Sequence, residues 1–166
     1  MGSPHPAKSV LVLGCGNPLL GDDGFGPAVI EHLEGRRRIP EHVSCVDAGT
    51  SVREILFDLL LSEERPRKII VVDAVDVAGR GPGEIFAIAV NQISPAKIAD
   101  FSLHQFPTVN LLRELHEHTA VELHILAVQI TEIPEEVRPG LSPPVAAAIP
   151  KMVELILETI EGESHD

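Results

Sequence analysis

The sequence predicts a single α/β domain of three layers, α/β/α, built on a five-stranded mixed sheet. Three observations carry this. Short β-branched runs alternate along the chain with segments of helical period. One run, Lys68 to Val72, is apolar on both faces, as a buried parallel strand is. The third and fourth strands are joined by a stretch too short for a helical crossover.

In chain order, Ser9 to Leu13 is the first strand and ends in Gly14; from Gly24 onward Phe25, Val29 and Leu33 recur at helical spacing. Val43 to Val46 is the second strand. Val52, Ile55, Leu56, Leu59 and Leu60 then fall at i, i+3, i+4, i+7 and i+8, the stripe of an amphipathic helix. Lys68 to Val72 is the third strand, with Asp73 at its carboxyl end. Ala74 to Gly83, rich in Gly and Pro, leads to a fourth strand at Glu84 to Val90, which is therefore expected to run antiparallel. A helix from about Pro107 to Glu117 follows, then a last strand, Val121 to Gln129. After a Pro-rich loop, a final helix carries Val145, Ile149, Met152, Val153, Ile156 and Ile160 on one stripe. There is no internal repeat and no linker, and the ends, 1–7 and 162–166, are expected to fray.

A chain of 166 residues fits one domain and buries enough surface to need no disulfide. Its 25 acidic and 13 basic residues give a formal net charge of −12, which argues against nucleic acid and anionic membranes as partners. No apolar run approaches the ~20 residues of a membrane helix. Two cysteines, Cys15 and Cys45, are too few for a disulfide scaffold, and no signal segment is evident, so a cytoplasmic location is expected. A monomer is expected.

The chemistry concentrates in the loop after the first strand, Gly14-Cys15-Gly16-Asn17-Pro18-Leu19-Leu20-Gly21-Asp22-Asp23-Gly24-Phe25-Gly26. Ligands of open α/β sheets bind at that edge. A dinucleotide loop would need Gly where Leu19 stands, and two carboxylates would repel a pyrophosphate. The Walker loop, the Gly-x-Ser-x-Gly elbow and the His-Glu-x-x-His zinc helix are absent. Asp22 or Asp23 could cap the following helix, but both cannot. Asp73 ends an apolar strand, where a carboxylate is costly unless paired. With strand order 2-1-3 for the first three strands, Asp23 and Asp73 converge at the switch point and invite a cation.

Among the eight histidines, His5 and His165 lie near the ends, and His32, His42, His116 and His118 read as solvated surface. His124 reads as a satisfied strand residue. His104, just ahead of a helix in Ser102-Leu103-His104-Gln105-Phe106-Pro107, is a candidate ligand.

These segments together resemble the nickel–iron hydrogenase maturation endopeptidases. The resemblance runs from Val10 to Ile160. It rests on Leu13 to Gly26, supported by Asp47-Ala48-Gly49-Thr50, Val72-Asp73-Ala74 and Ser102-Leu103-His104-Gln105. The Gly21 to Val29 run further resembles the branch serving deazaflavin-reducing hydrogenases. The resemblance implies a sheet of order 2-1-3-5-4 with strand 4 antiparallel. It also implies an activity, removal of a C-terminal extension from the hydrogenase large-subunit precursor, and that precursor as partner. It implies Asp23, Asp73 and His104 as catalytic residues and metal ligands; many relatives carry Glu where Asp23 stands. The Asp47 loop matches a family loop to which no role attaches beyond shaping the cleft floor.

Two carboxylates and one imidazole make an incompletely filled site suited to nickel delivered in the precursor, with zinc or cadmium able to substitute. The competing class is a phospho-acceptor domain that gathers Asp22, Asp23 and Asp73 around magnesium. It would need a Lys at the end of the last strand, where this chain reads Gln129-Ile130-Thr131-Glu132. A small-nucleotide-binding module is a further alternative.

Overall fold

The computed structural model describes residues 9–35, 39–90 and 106–162. Five strands, β1 (Val10–Cys15), β2 (Val43–Gly49), β3 (Lys68–Val75), β4 (Ile85–Ile88) and β5 (Glu122–Gln129), form one sheet of order β2-β1-β3-β5-β4. The pairs β1–β2, β1–β3 and β3–β5 are parallel, and β4 runs antiparallel to β5. The helices are α1 (Phe25–Glu34), α2 (Val52–Leu61), α3 (Phe106–His118), α4 (Pro143–Ala147) and α5 (Ile149–Glu161), and a 3-10 turn at Gly21–Gly24 precedes α1.

The sheet separates two cores. On one face Val10, Val12, Ile70, Val72, Leu126 and Val128 pack against Phe25, Val29 and Leu33 of α1 and Met152, Val153, Ile156 and Ile160 of α5. On the other face Leu13, Cys15, Ile69, Val71, Val75 and Ala127 pack against Val52 and Leu56 of α2 and Leu112 and Leu115 of α3. This strict alternation along β3 follows from the pleat, and both faces are covered, as in parallel sheets generally. Among the described residues no helix is long and apolar enough to cross a membrane.

Strand ends differ from the sequence expectation in an informative way. β1 continues through Gly14 to Cys15, pairing Gly14 with Asp47 and Cys15 with Gly49 across an irregularity. Gly14 is therefore not a terminator. It is a point of contact, where a Cβ would run into the carbonyl of Gly26 at the start of α1. β3 runs on to Val75, so Asp73 lies inside the strand. Its pairing with β1 stops at Val72, one residue earlier, while pairing with β5 continues through Asp73, Ala74 and Val75. Asp73 thus stands inside the sheet on its β5 side and just past the last β1 pair on the other.

The last helix is also two helices. Pro150 lacks an N–H and its ring crowds the preceding turn; α4 closes with Ala148 N–H on Val145 O at 3.1 Å, and α5 restarts with Met152 N–H on Ala148 O at 2.9 Å. The apolar stripe still holds, because Val145, Met152, Val153, Ile156 and Ile160 are all buried. At the far end of α5, the buried Lys68 places its ammonium on the carbonyls of Thr159 and Gly162, each at 2.7 Å, and pairs with Glu122 at 3.2 Å. A cation there complements the helix C-terminus and ties the first residue of β3 to the final helix.

Candidate active site

The carboxyl edge of β1, β2 and β3 carries the loop Gly16–Gly24. Gly16 has φ of +129°, and a Cβ there would collide with the carbonyl oxygen of Asp23. Only glycine lets the loop fold back this tightly. The Asn17 N–H donates to Asp23 Oδ2 at 2.9 Å, and the Asp23 N–H donates to Leu20 O at 3.0 Å, so the carboxylate is aimed by its own loop.

Asp73 is fully buried, and its Oδ1 accepts the Ala74 N–H at 2.8 Å. By the alternation of β3 its side chain faces the α2/α3 layer, as that of Cys15 does. Asp47, exposed on β2, accepts the Gly49 N–H at 3.0 Å. All three carboxylates are felt by one sulfur: burial pushes the Cys15 thiol well up from its ordinary value, and the charges of Asp73, Asp23 and Asp47, in that order, push it further. Burial and these charges favour the protonated thiol, which argues against a nucleophilic role for Cys15. What the edge carries instead is carboxylates in the neighbourhood of Cys15, oxygen donors of the kind that divalent cations take. Beside it lies a cleft of about 470 Å³ lined by Pro18, Gly24, Pro27, Glu31, Asp47 and Leu141.

Neither acid of the pair caps α1, whose N-cap is Gly24 with no side-chain bond. Asp22 has a different task that the sequence did not signal. It is buried and accepts the Thr131 N–H at 2.9 Å, the Ser142 N–H at 2.7 Å and the Ser142 hydroxyl at 2.9 Å, clasping the 131–142 loop to the Gly16–Gly24 loop. Gln129 was likewise missed: buried at the end of β5, it donates to Asp76 at 2.9 Å and accepts the Val77 N–H at 2.8 Å, which anchors the segment leaving β3.

Of the histidines, His124 pairs with Glu122 at 2.7 Å within β5, and His32, His42, His116 and His118 are exposed, as expected. His104 lies outside the described residues. α3, which begins two residues after it, packs on the face to which Asp73 points, and its C-terminal end leads within a few residues into β5 at the opposite edge of the sheet. Among the described residues alone, no three His, Cys, Asp or Glu side chains form a metal-binding group.

An open α/β sheet with carboxylates on β3 and on the loop after β1, at the point where the strand order reverses, belongs to the class of α/β proteins that bind ligands at such a switch point. The comparisons narrow this. The sequence profile of the hydrogenase maturation proteases matches residues 27–159. A Methanocaldococcus jannaschii protein bearing the name hydrogenase maturation protease is 39% identical over 155 residues, covering 93% of this chain and 97% of that protein. The coenzyme F420 hydrogenase subunit delta of Methanothermobacter thermautotrophicus is 37% identical over 161 residues, covering 95% of this chain and 97% of that one. The solved structure of the Escherichia coli hydrogenase maturating endopeptidase HybD superposes with a TM-score of 0.70 at 29% identity, over 91% of each chain. The chain belongs to the hydrogenase maturation protease family. The phospho-acceptor and nucleotide-binding readings fall with that membership, and Asp22, engaged by Thr131 and Ser142, would in any case have been poorly placed to share a magnesium ion.

Proposed function

We propose that this chain removes the C-terminal extension from the large-subunit precursor of a nickel–iron hydrogenase after nickel insertion, with Asp23, Asp73 and His104 as the side chains that receive the nickel. The placement of Asp23 on the loop after β1, its carboxylate held by the Asn17 amide, and of Asp73 on β3 just past the last β1 pair, at the switch point, supports this reading. The likeness to the F420 hydrogenase subunit favours a deazaflavin-reducing hydrogenase as the source of the precursor.

Nickel belongs to the substrate in this scheme. It arrives on the precursor with coordination positions open, and two carboxylate oxygens and one imidazole nitrogen from this chain complete them, which reports that the cofactor is installed. The chain's own residues then do three things. The Asn17 amide holds the Asp23 carboxylate in place, the buried edge around Asp73 limits water, and a carboxylate of the pair takes a proton from the attacking water. The hydroxide adds to the scissile carbonyl carbon, the C–N bond breaks, and the proton passes to the leaving amine. Cys15 takes no part.

Three variants test the ligand assignment. Asp23→Ala, Asp73→Ala and His104→Ala should each remain folded and lower both soft-divalent affinity and precursor cleavage by at least about 100-fold, measured by titration calorimetry and gel shift. If His116→Ala abolished cleavage while His104→Ala did not, the histidine assignment would be wrong.

A further inference from the structure

Among the described residues, four large apolar side chains stand largely in water: Leu19, Phe57, Leu61 and Val137. Phe57 and Leu61 are one turn apart on α2. Leu19 and Val137 come from loops distant in sequence and are brought together by the backbone. Leu20 and Arg138 form a parallel β-bridge, in which the Gly21 N–H donates to Arg138 O at 2.9 Å and the Arg138 N–H to Leu19 O at 2.8 Å. Leu19 and Val137, each one residue before a bridged residue, therefore lie on adjacent backbone segments. They are 50% and 68% exposed, enough for a partner to cover.

This pair is held rigidly. The Asp22 clasp grips the loop near both its ends, at Thr131 and Ser142, the bridge grips its middle, and Pro134 and Pro139 restrict the backbone between. Packing gives no reason to hold apolar side chains outward on so firm a frame, since their burial would be favourable. Association does give one, because an ordered loop loses little conformational entropy when a partner covers it. Leu19 is four residues from Asp23, so whatever seats here also stands at the carboxyl edge. The rim selects the partner's charge. Glu132, Glu135 and Glu136 are exposed around Val137, and Arg138, the one cation in the sequence of the 131–142 loop, is paired with Glu132 at 3.0 Å, which leaves the loop net acidic. Its complement is an apolar patch bordered by Lys or Arg.

We infer that Leu19 and Val137 form a docking lip for the folded body of the large-subunit precursor, which meets it with an apolar patch rimmed by basic residues. This rests on the function proposed above. It adds a contact separate from the nickel ligands and from the tail that is cut.

Binding of the nickel-loaded precursor, measured by surface plasmon resonance, tests it with four single surface variants and one double variant, all checked by thermal melting. Leu19→Asp and Val137→Asp should each raise Kd at least tenfold, mainly through the off-rate, while Phe57→Asp and Leu61→Asp on α2 stay within about twofold. Glu135→Lys with Glu136→Lys should slow association and flatten its dependence on salt. Val137→Asp is the cleaner variant if Leu19→Asp melts early. Unchanged affinity in both lip variants, or a loss confined to the α2 variants, overturns the docking lip and leaves the proposed cleavage standing. No binding by the unaltered chain overturns both.

Discussion

Cys15 sums up the local chemistry of the carboxyl edge. Its thiol is buried at the end of β1, and the first cause of its raised pKa is that burial, with Asp73, Asp23 and Asp47 adding to it. In the metal-free chain the folded state keeps this proton to higher pH than the unfolded state does. The resulting stability is therefore fully present below the ordinary thiol value of about 8.5 and is lost as pH rises toward the raised folded value. In chelator, urea unfolding of the unaltered chain should weaken steadily above about pH 8.5, and Cys15→Ala, which removes the proton, should weaken less over the same range. The variant should also cleave precursor at a rate near that of the unaltered chain. Equal slopes in the two proteins would mean that the thiol ionises freely in the folded state. Complete loss of cleavage with metal binding intact would restore Cys15 as a nucleophile.

At the scale of elements, the site depends on how closely α1 approaches the sheet. A Cβ on Gly26, in the first turn of α1, would meet the backbone N and O of Cys15 and lie 2.8 Å from Val72 O. These are main-chain atoms of two central strands and cannot swing aside as a side chain would. Gly26→Ala should therefore destabilise the fold by about 3 kcal/mol or more, seen in urea unfolding. It should also lower divalent affinity in the fraction that remains folded, because lifting α1 drags the Gly16–Gly24 loop and Asp23 with it. Wild-type stability in this variant would show that α1 is free to move outward. The helical periods of α1, α2 and α5 were legible in the sequence because each has one long apolar stripe against the sheet. The break at Ala148 was not, since Val145 and Ile149 continue the stripe across it and the hydrophobic pattern does not register Pro150. The reach of β1 and β3 past Leu13 and Val72 was hidden for a similar reason. Gly14 and Asp73 look like strand breakers in isolation, and their tolerance comes from Gly26 and from β5, which only the fold brings near.

For the molecule as a whole, topology could be read where a local length decided it. The ten residues from Ala74 to Gly83 cannot carry a crossover helix, and β4 is accordingly antiparallel. The Asp22 clasp could not be read, because it joins positions 109 and 120 residues apart through a loop with no periodic signal. That clasp binds the loop of Asp23 to the one carrying Val137, so the proposed ligand and the proposed docking lip share one hydrogen-bonded assembly at the carboxyl edge, away from the helix-covered faces. The proposed timing of cleavage follows. In the proposed scheme three side chains of this chain would leave the remaining nickel positions to the precursor, so affinity would come from the metal and the folded surface around it and little from the tail. A free tail peptide should be a poor substrate, with kcat/KM reduced at least about 100-fold against the nickel-loaded precursor. Intact-mass spectrometry should find the nickel-loaded precursor cut once near its C-terminus and the precursor matured without nickel left whole. Equal cleavage of the two forms would eliminate metal-gated recognition and reduce Asp23, Asp73 and His104 to an ordinary hydrolytic site, whose metal would then have to come from solution and whose activity a chelator alone should abolish.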